Sequence, residues 1–175
     1  ERYHYADANV DTLGAVMEVA AGEPAERMIE QRLFQALGMI DSMTLLNKGE
    51  ARLSRVAGKN AGGRGRWRQF WSWQGKPYFS FPLFAQGFYS TPLDYARFMQ
   101  MVMDGGTASG KQILSKDAIG RMLTPVSQTT MPTGFAGLNA SYGQLMQLYE
   151  KSGKLVAFGH SGSDGTYAWA WPEQN

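Results

Sequence analysis

The chain contains no cysteine, which excludes a disulfide framework, a thiolate nucleophile and any cysteine-ligated metal within it. It also lacks a run of roughly 18 apolar residues, the minimum for a membrane-spanning helix. Its first residues, Glu1 and Arg2, are neither an initiator methionine nor part of a signal peptide's apolar core. We therefore expect the true N-terminus, with any export signal, to lie upstream. The compartment stays open on these grounds.

Positively charged residues slightly outnumber negatively charged ones. Lysine and arginine total 17 and aspartate and glutamate total 15, a formal net charge of +2. Without clustering, so mild a balance implies neither a nucleic-acid nor a membrane partner. The 43% hydrophobic and 18% charged composition is ordinary for a soluble globular domain.

Apolar residues recur at helical spacing in four segments, each with a start or stop signal. The predicted helices cover residues 9–20, 24–38, 91–104 and 115–123. In the third helix, Thr91 is the expected cap, and Asp94 stands where a carboxylate returns the bond in a capping box. Ser115 is the expected cap of the fourth helix.

The rest of the chain has two different patterns. Residues 47–86 are punctuated by glycines among arginines and aromatics, which predicts long loops with at most a short strand. From residue 142 onward the period changes to that of strands, with a hairpin turn expected at 150–153. Tyr167, Trp169 and Trp171 alternate with alanines, as in a half-buried strand.

Helices first and strands last indicate an α+β fold. We expect residues 1–125 to form a mostly helical domain that includes the basic-aromatic loop 47–86. Residues 126–175 should form the strands that carry the sequence GHSGSDG at 159–165.

The GHSGSDG segment first suggests the Gly-x-Ser-x-Gly nucleophile elbow, with Ser161 as nucleophile. The pattern fails at its fifth position, Ser163. An elbow also needs a helix after the serine and a later acid and histidine, whereas a strand follows here and no histidine remains downstream. His160 and Ser161 do not suit a base–nucleophile pair either, because neighbours on an extended strand point to opposite faces.

Several segments, taken in order, resemble the class C β-lactamase and penicillin-binding-protein superfamily. The sequence YAD at 5–7, followed by Leu-Gly at 13–14, resembles the Tyr-x-Asn motif and the helix after it. The sequences FQALGM at 34–39 and STPLDYARF at 90–98 resemble the family's Pro-Leu-Gly-Met helix end and Ser-Thr-x-x-Asp-x-Ala-Arg-Phe helix. GHSGSDG looks like the third motif, Lys-Thr-Gly in class C β-lactamases and His-x-Gly in related esterases and D-aminopeptidases.

The resemblance implies a helical domain packed on an antiparallel-sheet α/β sandwich domain, with the active site between them, and a chain incomplete at both ends. It also implies a serine hydrolase that works through an acyl-enzyme. The family's nucleophile lies in Ser-x-x-Lys, and no serine here has a lysine three residues later. We therefore expect that motif upstream of this chain, which by itself should be inactive.

Site residues follow from the same resemblance. Tyr5 would take and return the proton of the serine, with His160 adding to the positive field around it. Ser163 would supply a backbone N–H to the oxyanion hole. The implied catalytic residues are Tyr5, His160 and Ser163, and the implied substrate-binding residues are Asp7, Ser161 and Gly162. No cofactor and no metal is expected.

Two departures from the family pattern bear on the substrate, which would be an ester, an amide or a β-lactam. His160 in place of lysine and Asp7 in place of asparagine favour an esterase or D-peptidase over a β-lactamase. A periplasmic or secreted location is what the resemblance implies. Each assignment has a structural alternative, since Tyr5 could be an ordinary half-buried tyrosine, Asp7 a cap, and His160 a structural histidine.

Two alternatives from other functional classes stay open. Residues 64–73 interleave three arginines with aromatics, the pattern of a single-strand nucleic-acid platform, but the chain has no RNA-binding motif. We expect no nucleic-acid partner and instead a loop that borders the cleft and lines an apolar pocket. A noncatalytic relative that only binds peptides or cell wall is the second alternative, and an upstream Ser-x-x-Lys would argue against it.

Overall fold

The computed structural model of the protein describes residues 4–44, 51–72, 74, 83–128, 137–162 and 165–174. The chain forms two compact units. One, called here the helix–hairpin unit, comprises Ala6–Asp94. The other, the sheet unit, combines Glu1–Tyr5 with Tyr95–Asn175. Among the described residues, no helix is both long enough and apolar enough to cross a membrane.

The helix–hairpin unit begins with helix α1, Asp7–Ala21. It starts two residues before the predicted cap, since extended Ala6 is the N-cap and Asn9 lies in the first turn. It ends at Gly22, whose left-handed backbone lets its N–H bond to the carbonyl of Glu18 at 2.9 Å. Helix α2, Ala25–Ile29, continues into a π-helical segment, Glu30–Gln35, within the predicted second helix.

Gly14 is the buried residue of α1. A Cβ atom there would collide with the ring of Phe84, so only glycine lets that ring approach the helix so closely. The adjacent backbone is held as well, because the Ala85 N–H donates to the carboxylate of Asp11 at 3.1 Å. The glycine of the Leu-Gly pair is thus a packing feature of the helix–hairpin unit, whereas Leu13 is exposed.

A β-hairpin follows a 3-10 turn at Ala51–Arg55. Strand β1, Lys59–Gly63, pairs antiparallel with strand β2, Arg66–Trp71. The two turn residues, Arg64 and Gly65, both have left-handed backbones, with φ of 53° and 77°. Such turns match the twist of paired strands. The expectation of long loops over 47–86 is therefore corrected for residues 59–71; residues 45–50, 73 and 75–82 lie outside the described part.

Helix α3, Pro92–Met103, begins where predicted. The Asp94 N–H donates to Thr91 Oγ1 at 3.2 Å, which confirms Thr91 as the cap. The Asp94 side chain is only 1% exposed, and its carboxylate accepts from the Asp41 N–H at 2.7 Å and the Ser42 hydroxyl at 3.0 Å. The aspartate of the STPLDYARF segment therefore joins α3 to the chain at 41–42.

The sheet unit contains α3 from Tyr95 onward, a small hairpin and helix α4, Lys116–Met122. The hairpin strands are β3, Thr107–Ala108, and β4, Lys111–Gln112. Ser115 caps α4 as predicted, because its hydroxyl accepts from the Ala118 N–H at 3.1 Å.

A five-stranded antiparallel sheet completes this unit, with its strands in chain order. The strands are β5 Ser127–Gln128, β6 Asn139–Tyr142, β7 Gln147–Lys151, β8 Lys154–Ser161 and β9 Tyr167–Ala170. Leu148 and Phe158, directly opposite each other on β7 and β8, are fully buried. Helices and antiparallel sheets in one chain confirm the α+β class.

Two expectations about this region differ from the structure. The units divide between Asp94 and Tyr95, not near residue 125, and the end of α4 bonds directly to the sheet region, with the Gln144 N–H donating to the Met122 carbonyl at 3.2 Å. The aromatic strand does not bury all its aromatics. Tyr167 is 74% exposed, whereas Ala170 is buried.

Candidate active site

Three rings from distant parts of the sequence meet in the sheet unit. Tyr5 lies 6.2 Å from His160 and 6.5 Å from Tyr142, measured between ring centroids, and Tyr142 lies 6.0 Å from His160. Tyr142 ends strand β6, and His160 is the penultimate residue of β8. The structure therefore brings together two of the residues that the sequence suggested for catalysis, and adds a third ring.

The backbone at His160 is set by the pairing of β8 with β9. His160 lies opposite Ala168, and Gly159 lies opposite Trp169. A Cβ atom on Gly159 would collide with the carbonyl oxygen of Ala168 and with the Trp169 ring. Glycine before the histidine therefore permits the close approach of β9.

Hydrogen bonds hold the His160 imidazole at both nitrogens. Nδ1 lies 2.6 Å from the backbone carbonyl oxygen of Ser161, and Nε2 lies 3.3 Å from the hydroxyl oxygen of Tyr142. Gln147 Nε2 in turn donates to that hydroxyl at 2.7 Å. A chain of contacts thus runs from Gln147 through Tyr142 and His160 to Ser161.

Burial divides the site into an inner and an outer part. Tyr142 and Gln147 are 7% and 9% exposed, and His160 is half-buried. Tyr5, by contrast, is 49% exposed. The inner pair can therefore hold the histidine rigidly, while the Tyr5 side chain is accessible to a reacting molecule.

Two backbone hydrogen bonds connect the described residues between His160 and β9. The Gly162 N–H donates to the Thr166 carbonyl at 2.8 Å, and the Gly165 N–H donates to the Gly162 carbonyl at 3.0 Å. Ser161 is half-buried and Gly162 is exposed. Ser163, the expected oxyanion-hole donor, lies outside the described residues, so its role stays a prediction.

Asp7 belongs to the other unit, where it is the first residue of α1. Its carboxylate accepts from Gln86 Nε2 at 3.0 Å, and a negative charge there also interacts favourably with the positive end of the helix dipole. These contacts give Asp7 a structural role in the helix–hairpin unit. Its expected contact with substrate stays a prediction.

Sequence reasoning did not single out Tyr142 or Gln147. One signal for Gln147 was present, since it stands between Met146 and Leu148 in an otherwise apolar start to β7. A buried amide in such a strand requires a hydrogen-bonding partner.

Tyr149, two residues after Gln147 on β7, is a poor candidate for a base, because burial, and then the nearby Tyr142, raise the pKa of the Tyr149 phenol. Among the described residues, no cluster of His, Cys, Asp or Glu could hold a metal ion.

The beta-lactamase family model matches residues 1–175, the entire chain. The chain belongs to the beta-lactamase family. The resemblance inferred from the motifs is thereby confirmed. No match to this family member was found among curated proteins.

Solved structures similar to this beta-lactamase-family chain share its fold. The octameric penicillin-binding protein homologue from Pyrococcus abyssi has a TM-score of 0.77 and 23% identity, over 99% of this chain and 37% of its own. The penicillin-binding protein from Bacillus halodurans has a TM-score of 0.74 and 20% identity, over 98% and 49%. The D-amino acid amidase from Ochrobactrum anthropi has a TM-score of 0.60 and 18% identity, over 97% and 49%. The chain thus spans between a third and a half of these proteins.

Proposed function

We propose that the protein to which this chain belongs is a serine hydrolase that transfers an acyl group to water through a serine ester. The observation that carries the proposal is the proximity of Tyr5 and His160. They come from opposite ends of the chain, yet their ring centroids lie 6.2 Å apart in one compact unit. They are also the residues at which the chain matches two of the family's three motifs.

The nucleophile would be a serine followed three residues later by lysine, in a part of the protein outside this chain. A serine hydroxyl is a weak nucleophile and needs a base beside it. Tyr5 would accept the serine proton as the serine oxygen bonds to the acyl carbon, and would pass that proton to the departing alkoxide or amine. Water would then attack the ester, lose a proton to the same relay and release the serine as its hydroxyl.

The negative charge that develops on the acyl oxygen needs fixed donors. The Ser163 backbone N–H, placed just after the His-Ser-Gly motif, is our candidate for one of them. The N–H of the serine nucleophile itself is the other. A single donor of this kind typically contributes about 3 kcal/mol to the stability of the transition state.

We infer esters or D-amino-acid amides as substrates ahead of β-lactams. His160 replaces the lysine of true class C β-lactamases, and histidine, unlike lysine, is not a permanent cation for a β-lactam carboxylate. The D-amino acid amidase among the similar structures supports an amide substrate for this fold. Asp7, Ser161 and Gly162 are our candidates for substrate-binding residues.

The test uses the full-length protein with three chromogenic substrates: a p-nitrophenyl ester, a D-phenylalanine p-nitroanilide and a cephalosporin. We expect turnover of the ester or the D-amide, loss of turnover when the Ser-x-x-Lys serine is replaced by alanine, and a fluorophosphonate adduct on that serine by mass spectrometry. An adduct on Ser161 would instead show that Ser161 is the nucleophile. Tight binding of peptides with no turnover of any substrate would favour the noncatalytic alternative.

A further inference from the structure

We propose that the hairpin of β1 and β2 attaches the protein to the surface of a membrane that contains anionic phospholipids. Its arginines bind the headgroup phosphates, and Trp67 enters the interface beside them. The proposal concerns residues of the helix–hairpin unit and does not rest on the proposed function.

Charge is distributed unevenly along the chain. Residues 51–93, called here the basic segment, contain seven lysines and arginines and no aspartate or glutamate. The other residues hold ten basic and all 15 acidic side chains, so they carry a net charge of −5 while the basic segment carries +7. The small net charge of the entire chain therefore conceals an asymmetry that is typical of proteins that bind a membrane or nucleic acid.

The hairpin exposes the centre of the basic segment. Every residue from Asn60 to Gln69 is exposed, and these include Arg64, Arg66 and Arg68. Within the described part of the chain, the three guanidinium groups make no ion pair. They are therefore available to anions outside the chain.

The register of the hairpin brings two of these arginines together on an open face. Arg66 and Arg68 are two residues apart on β2, so they lie on the same face, about 7 Å from each other. Their partners on β1 are Gly63 and Ala61, whose small side chains leave that face uncovered. Because the spacing is within a Debye length of about 10 Å at about 0.1 M salt, the potentials of the two cations add.

Trp67 supplies an apolar group between the two arginines. Its side chain is 65% exposed, and its partner on β1 is Gly62, which has no side chain to cover the indole. A Cβ atom on Gly62 would collide with the Arg66 carbonyl oxygen and the Trp67 Cα, so the hairpin requires glycine there. Tryptophan is enriched where hydrocarbon meets the headgroups, because its ring is apolar and its N–H is polar.

Single-stranded nucleic acid is the other polyanion that arginines and a tryptophan fit. Proteins that bind single strands without sequence preference use several aromatic rings, on which successive bases stack. In the described part of β2, Trp67 offers such a ring, but Trp71 is only 7% exposed and stacks on Tyr89, with 6.4 Å between ring centroids. One accessible ring in the described hairpin, among cations, suits a continuous anionic surface better than a strand of bases.

Co-sedimentation of the full-length protein with vesicles tests the attachment. We expect binding to vesicles of phosphatidylcholine with about one-third phosphatidylglycerol, and no binding to vesicles of pure phosphatidylcholine. Raising the salt from about 0.05 M to about 0.5 M should release most of the bound protein, because the Debye length falls below about 5 Å.

Two triple variants with the same loss of charge separate the hairpin from the protein's overall charge. The hairpin variant combines Arg64→Gln, Arg66→Gln and Arg68→Gln. The control variant changes three exposed arginines outside the basic segment, Arg27→Gln, Arg32→Gln and Arg121→Gln. The hairpin variant should lower the partition coefficient by about 10²-fold, since each arginine near an anionic surface contributes about fivefold. The control should lower it by less than about threefold, because charges farther from the surface are screened.

Trp67→Phe tests whether the ring enters the interface. Tryptophan fluorescence of the unaltered protein should shift to shorter wavelength when anionic vesicles are added. The shift should be lost in Trp67→Phe, whereas sedimentation should be largely retained, because phenylalanine also partitions into the interface. Tyr167→Phe, at an exposed aromatic of the sheet unit, is the control and should leave the shift unchanged.

The proposal fails if the unaltered protein does not bind anionic vesicles, or if the two triple variants lose the same amount of binding. It also fails if the fluorescence shift persists in Trp67→Phe. Micromolar affinity for a labelled single strand, without binding to vesicles, would identify nucleic acid as the partner instead. A raised KM for a soluble ester in Trp67→Phe, with no vesicle-induced shift in the unaltered protein, would assign Trp67 to the substrate pocket.

Discussion

The carboxylate of Asp94 accepts a hydrogen bond from the Ser42 hydroxyl at 3.0 Å, and both side chains are buried. The same carboxylate accepts from the Asp41 N–H. Removing it takes an acceptor from the part-buried Asp41 N–H and leaves the buried Ser42 hydroxyl with the Ser90 hydroxyl, 2.8 Å away, and buried donors that lose an acceptor are costly. These hydrogen bonds therefore hold the start of α3 against residues 41–42.

Asp94→Ala should accordingly lower the free energy of unfolding by about 3 kcal/mol, measured by urea denaturation of the full-length protein. Asp104→Ala, at an exposed position just after the same helix, is the control and should change it by less than about 0.5 kcal/mol. Equal effects at the two positions would show that the buried contacts of Asp94 contribute nothing.

Tyr5→Phe should lower kcat/KM for ester hydrolysis by about 10²–10⁴, the usual contribution of a positioned acid–base group. Phenylalanine keeps the ring beside His160 and removes the oxygen that moves the proton. Stability should change by less than about 1 kcal/mol. Tyr167→Phe, an exposed tyrosine of the same unit, is the control. Wild-type kcat/KM in Tyr5→Phe across about pH 6–9, with the nucleophile still essential, would remove Tyr5 from the relay.

His160→Ala should reduce turnover far more than stability, because within the described part of the chain the half-buried ring makes two hydrogen bonds. The loss of these bonds should cost about 1 to 2 kcal/mol. His4→Ala, at the chain's other histidine, which is exposed, should leave both properties unchanged. Normal activity with a large fall in Tm would indicate that His160 is a structural residue.

Gly159→Ala should destabilise the protein by about 1–3 kcal/mol, because the new methyl group must push β9 away from β8. Activity should fall as well, since His160 is the next residue. Gly120→Ala in α4 has open space for the methyl group and should stabilise the protein by about 0.5–1 kcal/mol. Thermal unfolding of both variants makes the comparison. A neutral Gly159→Ala would mean that the close approach of β9 is not required.

The exposed hairpin should not bind nucleic acid. By charge alone, the hairpin could bind phosphates through Arg64, Arg66 and Arg68. Such binding would weaken steeply with added salt. We expect no micromolar, salt-dependent affinity for a labelled single strand by fluorescence anisotropy. A clear titration that disappears in the triple alanine variant would revive the nucleic-acid interpretation.

Local interactions explain what could be predicted from the sequence. Thr91 and Ser115 were identified as caps because a cap bonds to an N–H only three residues away, within one turn of chain. The α+β class followed from the change of period along the chain. The ordered motifs identified the family, since each lies in a short continuous segment.

The hairpin at 59–71 could not be predicted in the same way. Its turn places Arg64, a residue other than glycine or asparagine, in a left-handed backbone, so the usual turn signal is absent. Pairing between β1 and β2 supplies the hydrogen bonds that offset that conformation. Those bonds exist only once the two strands have met.

The candidate site shows most clearly which features the sequence predicts and which depend on the tertiary structure. By itself, the sequence predicted Tyr5 and His160 as candidate catalytic residues, because each lies in a recognisable motif. Only the tertiary structure decided that Tyr142 contacts His160 and that Gln147 contacts Tyr142. Their contacts depend on the registers of β6, β7 and β8, in which Tyr142 lies opposite Gln147 and Gln147 opposite Gly159. Register is a property of paired strands, set by packing over the entire sheet, and no single segment of sequence contains it.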